Sequence, residues 1–133
     1  MTTYTALVAD LVAMTITGQT SLAAPPASIT GKTPVRWPMP PSGDSTLAAM
    51  GGTDYDRVMR VTLNVAVEAV GQSTASAEFT DTVTALDNLE SALQTLNQTA
   101  AYGLSWTITM GIVTVGDINY YGLTCAVTAV DYS

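Results

Sequence analysis

The sequence predicts an α+β domain: an antiparallel or mixed sheet with two helices packed on one face, interrupted by a long Gly/Pro-rich loop. Three observations carry this. Residues 3–13 and 75–98 repeat apolar side chains at helical spacing. Three stretches after residue 60 alternate apolar with polar side chains at strand spacing. Residues 18–54 hold Pro25-Pro26, Pro34, Pro38 and Pro40-Pro41, with Gly31, Gly43 and Gly51-Gly52 beside them. At 133 residues the chain fits one domain, and 47% apolar residues are enough for a real core.

The elements follow in chain order. Tyr4, Leu7, Val8, Leu11 and Val12 form one stripe of the first helix, and Met14–Thr17 reads as a short strand before Gly18. Across 18–54 a structureless loop of this length is uncommon in a compact domain. It is either a floppy insertion or an extended arm that orders against a neighbouring subunit. Within it Val35–Met39 reads as a short edge strand, because proline confines a strand to an edge. Val61, Leu63, Val65, Val67 and Ala69 then alternate with Arg60, Thr62, Asn64, Ala66 and Glu68 in the clearest strand, closed by Gly71.

The second helix puts Phe79, Val83, Leu86, Leu89, Leu93 and Leu96 on one stripe. Ser73 or Thr74 suits its N-cap, and Glu78 and Asp81 suit the positive end of its dipole. Its other face, with Thr80, Thr84, Asn88, Ser91 and Thr95, is polar but uncharged. Leu104, Trp106, Ile108, Met110 and Ile112 form the core face of one further strand, and Tyr121, Leu123, Cys125, Val127 and Ala129 that of another. Gly116-Asp117 and Asn119 between them predict a hairpin turn.

Function classes fall away quickly. With no histidine, imidazole-based triads and metal sites are excluded. Cys125 is the only cysteine and sits on a core face, which fits a small buried apolar residue rather than a nucleophile. No glycine pattern cradles phosphate. Asp54 and Asp56 have a spacing seen in calcium loops but lack the other ligands, and read instead as partners of Arg57 and Arg60. Glu90 falls at the border of the apolar stripe, with its carboxylate expected in water. Trp106 reads as packing. No cofactor is expected. No apolar run approaches the roughly 20 residues of a helical membrane span, and Ala6–Met14 lacks the flank and core of a signal peptide.

What remains is an unusual surface. Only 11% of residues are charged, against about 25% in ordinary soluble domains. Threonine, at 22 copies, fills much of the vacancy. A surface so poor in charge fits a subunit that covers itself with copies of itself. The net charge of −7 argues against DNA binding but suits a wall past which DNA slides. All four cations, Lys32, Arg36, Arg57 and Arg60, lie between residues 32 and 60, while no Lys or Arg follows Arg60. A basic arm carrying Trp37, meeting an acidic flank with Asp81 and Asp87, makes a head-to-tail contact in a homo-oligomer. Trp37 alternatively folds back as a lid over the sheet edge.

In length, acidity and element order the chain resembles the tail terminator proteins of long-tailed bacteriophages. The matching elements are the helix Thr3–Ala13, the strand Arg60–Ala69, the helix Ala75–Gln98 and the strand pair Leu104–Asp131. The resemblance is one of layout over nearly the whole chain, without a diagnostic motif, so it assigns no residue. It implies a virion protein, assembled in the host cytoplasm into a hexameric ring. That ring caps the tail tube, contacts the tail tube protein and the head-side connector protein, and lets DNA pass its lumen without specific binding. The alternatives are another head–tail joining subunit, or a small-molecule-binding module that uses a groove between sheet and helices.

Overall fold

Thr3 starts the first helix: its hydroxyl accepts the Ala6 N–H at 3.1 Å and satisfies a donor that the helix itself cannot. In the computed structural model, which describes residues 3–47, 51–52, 55–71 and 75–131, this helix α1 spans Tyr4–Ala13. There follow β1 (Thr20–Ser21), β2 (Val35–Pro38), β3 (Ser42–Leu47), β4 (Tyr55–Ala69), α2 (Ala75–Thr99), β5 (Gly103–Val115) and β6 (Ile118–Asp131). The strands form one mixed sheet in the order β1-β2-β4-β6-β5, with β3 beside β4 on the same margin as β2. Only the β1–β2 pair is parallel. The architecture is α+β, as the alternation and the helical stripes predict.

Both helices share one core. Leu7 and Leu11 of α1 and Leu89 and Leu93 of α2 pack with Met59, Val61, Leu63 and Val65 of β4 and with Leu123, Cys125, Val127 and Ala129 of β6. These sheet residues alternate along their strands as expected, because one face is covered and the other is not. The β5–β6 turn is also as expected. Val115 pairs with Ile118, so Gly116 and Asp117 alone make the turn, and both take positive φ, at 58° and 66°. That is the backbone of a two-residue type I′ hairpin.

The segment 18–54 departs from its expected form. Its residues 20–21, 35–38 and 42–47 are strands of the sheet, not an arm. Ile29, Val35 and Trp37 form a second, smaller core with Ala66, Val115 and Tyr120 on the sheet face away from the helices. β2 is an edge strand only in part. Val35 and Arg36 lie between β1 and β4, while Trp37 and Pro38 extend beyond β1. Met39 donates its N–H to Thr62 O, so the alternation turns the Pro38 nitrogen away from β4 and no ladder bond is lost. The strand expected at Met14–Thr17 is absent; residues 14–16 have no regular structure and 17–18 form a turn.

Three side chains also depart from their expected surroundings. A bulge between Ala66 and Glu68 reverses the alternation, so Ala69 joins Tyr120 in the smaller core rather than Val65 in the larger. Phe79 is 63% exposed, and Glu78 and Thr82 are buried on that turn of α2 instead. Ile112 is 54% exposed at the far end of β5. The N-cap expected at Ser73 or Thr74 lies outside the described residues.

Gly122 marks the tightest point of the sheet, opposite Ala66 of β4 and Gly111 of β5. A Cβ there would lie 2.1 Å from the carbonyl oxygen of Val65 and 3.0 Å from the Val113 side chain. Neither neighbour is free to retreat. Gly122→Ala is therefore expected to cost about 2–3 kcal/mol, read as a lower urea midpoint with unchanged slope.

Candidate functional site

Of the seven residues expected at an intersubunit contact, the structure removes two. Arg36 is 1% exposed and Trp37 3%. Adjacent positions on β2 face opposite ways, so Trp37 enters the smaller core while Arg36 turns toward the end of α1. There Nη1 donates to Gln19 Oε1 at 2.7 Å, and Nη2 donates to the carbonyls of Leu11 at 3.4 Å, Val12 at 3.3 Å and Met14. Arg36 Nε is buried and finds no hydrogen-bond partner among the described residues. Burial pushes the guanidinium pKa below its ordinary value. The basic, Trp-bearing arm is thus corrected to an internal clamp and a lid.

The reason is local to α1. A helix ends with unsatisfied carbonyls and a partial negative charge, and α1 has no basic residue in its last turn. A cation from elsewhere in the chain completes it. The sequence did carry this signal, since after α1 the first cations are Lys32 and Arg36. Spacing could not say which one turns inward.

The other five candidates do not gather at one place. Lys32 is exposed in the loop that precedes β2. Arg57 donates to Ser45 Oγ at 3.3 Å and lies 5.4 Å from the centroid of the Tyr4 ring. Arg60 pairs with Asp44 at 2.9 Å, not with the expected Asp56; Asp54 lies outside the described residues. Both ends of that ion pair are largely exposed, so it contributes roughly 0–1 kcal/mol. Asp81 and Asp87 are exposed on different sides of α2, six residues apart.

Two open surfaces take the place of the expected patch. The first is the sheet face away from the helices, beyond the smaller core. Register sets Ser105, Thr128 and Arg60 side by side, then Thr107, Ala126 and Thr62, then Thr109, Thr124 and Asn64. Hydroxyls and methyls dominate it. The second is the margin at β5, the last strand of the sheet. From Ser91 to Val130 the only charged residue is Asp117, at the hairpin turn.

Glu90 sits behind that margin. Its carboxylate was expected in water but accepts the Trp106 indole N–H at 2.7 Å and the Gln94 amide at 3.3 Å. Its charge also contributes, after burial, to raising the Cys125 thiol to about 12. Burial likewise raises the Tyr102 phenol, aided by its hydrogen bond to Asp10 at 2.6 Å and by the charge of that residue.

A groove of about 620 Å³ runs between α1 and α2, lined by Asp10, Met14, Asn88, Ser91 and Thr95 among others. A smaller one of about 380 Å³ includes Gln19, Glu68 and Asp81. Among the described residues no three carboxylates or thiols gather where they could hold a metal ion. No described helix is long and apolar enough to cross a membrane. No family model, curated protein or solved structure matches the chain.

Two expectations follow. Arg36→Ala leaves several carbonyls and Gln19 without their donor and should destabilise the fold by at least about 1–3 kcal/mol in urea titration. Cys125 should resist alkylation at pH 8 in the folded chain and react fully in denaturant. Its thiol ionises near 9 when unfolded and about 12 when folded, so its contribution is complete below pH 9 and declines as pH rises toward 12. Cys125→Ala should flatten the fall in melting temperature over that window.

Proposed function

We propose that the protein is a structural subunit that works by assembling with copies of itself, as a tail terminator ring joining a phage tail tube to the head-side connector. The observation that carries this reading is the hairpin β5–β6, charged only at its Asp117 turn and at Asp131, and the hydroxyl-rich sheet face it helps to form. A monomer of net charge −7 has no need of a forty-residue stretch with a single charge, whereas a subunit surface that meets its own kind avoids like-charge repulsion that way. The α+β layering, with both helices on one side of the sheet, supports the same reading because it leaves the other side free beyond the smaller core.

In this role the work is steric. The ring removes the surface on which further tube subunits would add and offers a different surface to the connector. Its net negative charge lets DNA pass without capture.

Native mass spectrometry and negative-stain imaging test it. The expected result is a closed ring with a mass six times 13.8 kDa. A species of 13.8 kDa alone, up to the highest soluble concentration, would overturn the proposal.

A further inference from the structure

Natural sheets protect their edges with charges, prolines, bulges or very short strands, because an unpaired edge is a template for another strand. β5 has none of these devices. It spans 13 residues, carries no charged residue and no proline, and pairs with β6 in unbroken register from Gly103 to Val115. Leu104 donates its N–H to Asn97 Oδ1 at 2.9 Å, outside the ladder. Backbone direction alternates in an antiparallel pair, so Trp106, Ile108, Met110 and Ile112 likewise turn their N–H and C=O groups outward. Among the described residues no backbone partner receives them.

The flank above this edge is apolar. The Trp106–Glu90 hydrogen bond shows which side of α2 faces β5. At about 3.6 residues per turn, Phe79, Val83 and Leu86 share that side with Glu90. The opposite side, with Asn88, Ser91 and Thr95, faces the groove toward α1. Exposed Phe79 and Ile112 thus belong to one strip along the β5 margin.

The other margin supplies a matching strand. Met39 N–H donates to Thr62 O, so even-numbered residues of β4 point toward the β2–β3 side. Ser42, Asp44 and Thr46 face Arg60, Val58 and Asp56 and meet those groups, which leaves Gly43, Ser45 and Leu47 pointing outward. Along β3-β4-β6-β5 every neighbour is antiparallel, so β3 and β5 run in opposite directions. Their outward residues lie on the helix side of the sheet in both cases, as the Tyr4 ring next to Gly43 and the Glu90 bond to Trp106 show. Partly exposed Leu47 and Tyr55 are the apolar residues at the β3 margin, where Arg57 also lies, while Glu90 is the acid behind β5.

We propose that β5 of one copy adds antiparallel to β3 of the next, so that the sheet continues from subunit to subunit. This rests on the assembly reading above and names its seam. Even-numbered residues of β5 oppose odd-numbered residues of β3; that one condition aligns both the hydrogen bonds and the side-chain faces. The second copy is the occupant because one chain carries both margins with complementary direction and face, and successive additions turn by a constant angle.

Amide hydrogen exchange at single-residue resolution on the full chain tests the seam. In the assembled protein Trp106, Ile108, Met110 and Ile112, together with Gly43, Ser45 and Leu47, should exchange at least about ten-fold more slowly than in the dissociated chain. Ile112→Lys, at an exposed position, should weaken assembly at least about ten-fold while leaving the melting temperature of the monomer unchanged. Fast exchange at both strands in an intact ring, protection of β5 without β3, or full assembly of the Lys variant would each overturn the seam and leave the ring standing. A chain that never assembles overturns the reading beneath it.

Discussion

The position of residues 3–38 depends on a buried guanidinium. Arg36 joins the last carbonyls of α1 to the Gln19 side chain and, through β2, to the centre of the sheet. Hydrogen bonds from a charged donor contribute roughly 1.5–3 kcal/mol each. Withdrawing a cation from water costs several kcal/mol. An apolar replacement of the whole cluster would therefore change stability little, whereas removing the guanidinium alone strands its acceptors. What the clamp determines is direction: α1 must end over β2, and the chain must turn back through β1 to reach it. Ser21 adds a further tie by donating its hydroxyl hydrogen to Val12 O at 2.6 Å.

From that constraint the two cores follow. With α1 held over one margin and α2 over the centre, the helix side of the sheet is filled by Leu7, Leu11, Leu89 and Leu93. The same anchoring carries residues 22–34 around to the opposite side, where Ile29 packs against Trp37 and Tyr120. A proline-rich stretch with few apolar residues can be ordered this way because a tryptophan and a tyrosine supply most of the area to bury.

Much of this was legible in the residues. Alternation in β4, β5 and β6 was clear because each strand has one covered and one open face, and Gly116-Asp117 is the residue pair that a two-residue hairpin requires. The stripe of α2 was legible as apolar but not as buried. Leu89 and Leu93 enter the core while Phe79 stays outside, and periodicity cannot tell a face covered by the chain from one left for something else. The bulge at Val67 carries no composition mark, so the reversal at Ala69 was invisible. Arg36 misled most, since a cation beside a tryptophan in a proline-rich segment has the composition of a contact surface. Its acceptors lie 17 to 25 residues away, and the carbonyls among them are in place only once α1 has formed and ended.

The smaller core also has a geometric consequence. It thickens the sheet only near Ala66, Val115 and Tyr120, while the stretch from Arg60 across Thr128 to Ser105 stays bare on that side. The covering on that side therefore changes along the strands, from the Ala66–Tyr120 end to the Arg60–Ser105 end. The two ends of the strands thus offer different surfaces on that side, one padded by Ile29 and Trp37 and the other lined by Thr128 and Ser105, and whatever meets the sheet at one end does not find what it would meet at the other.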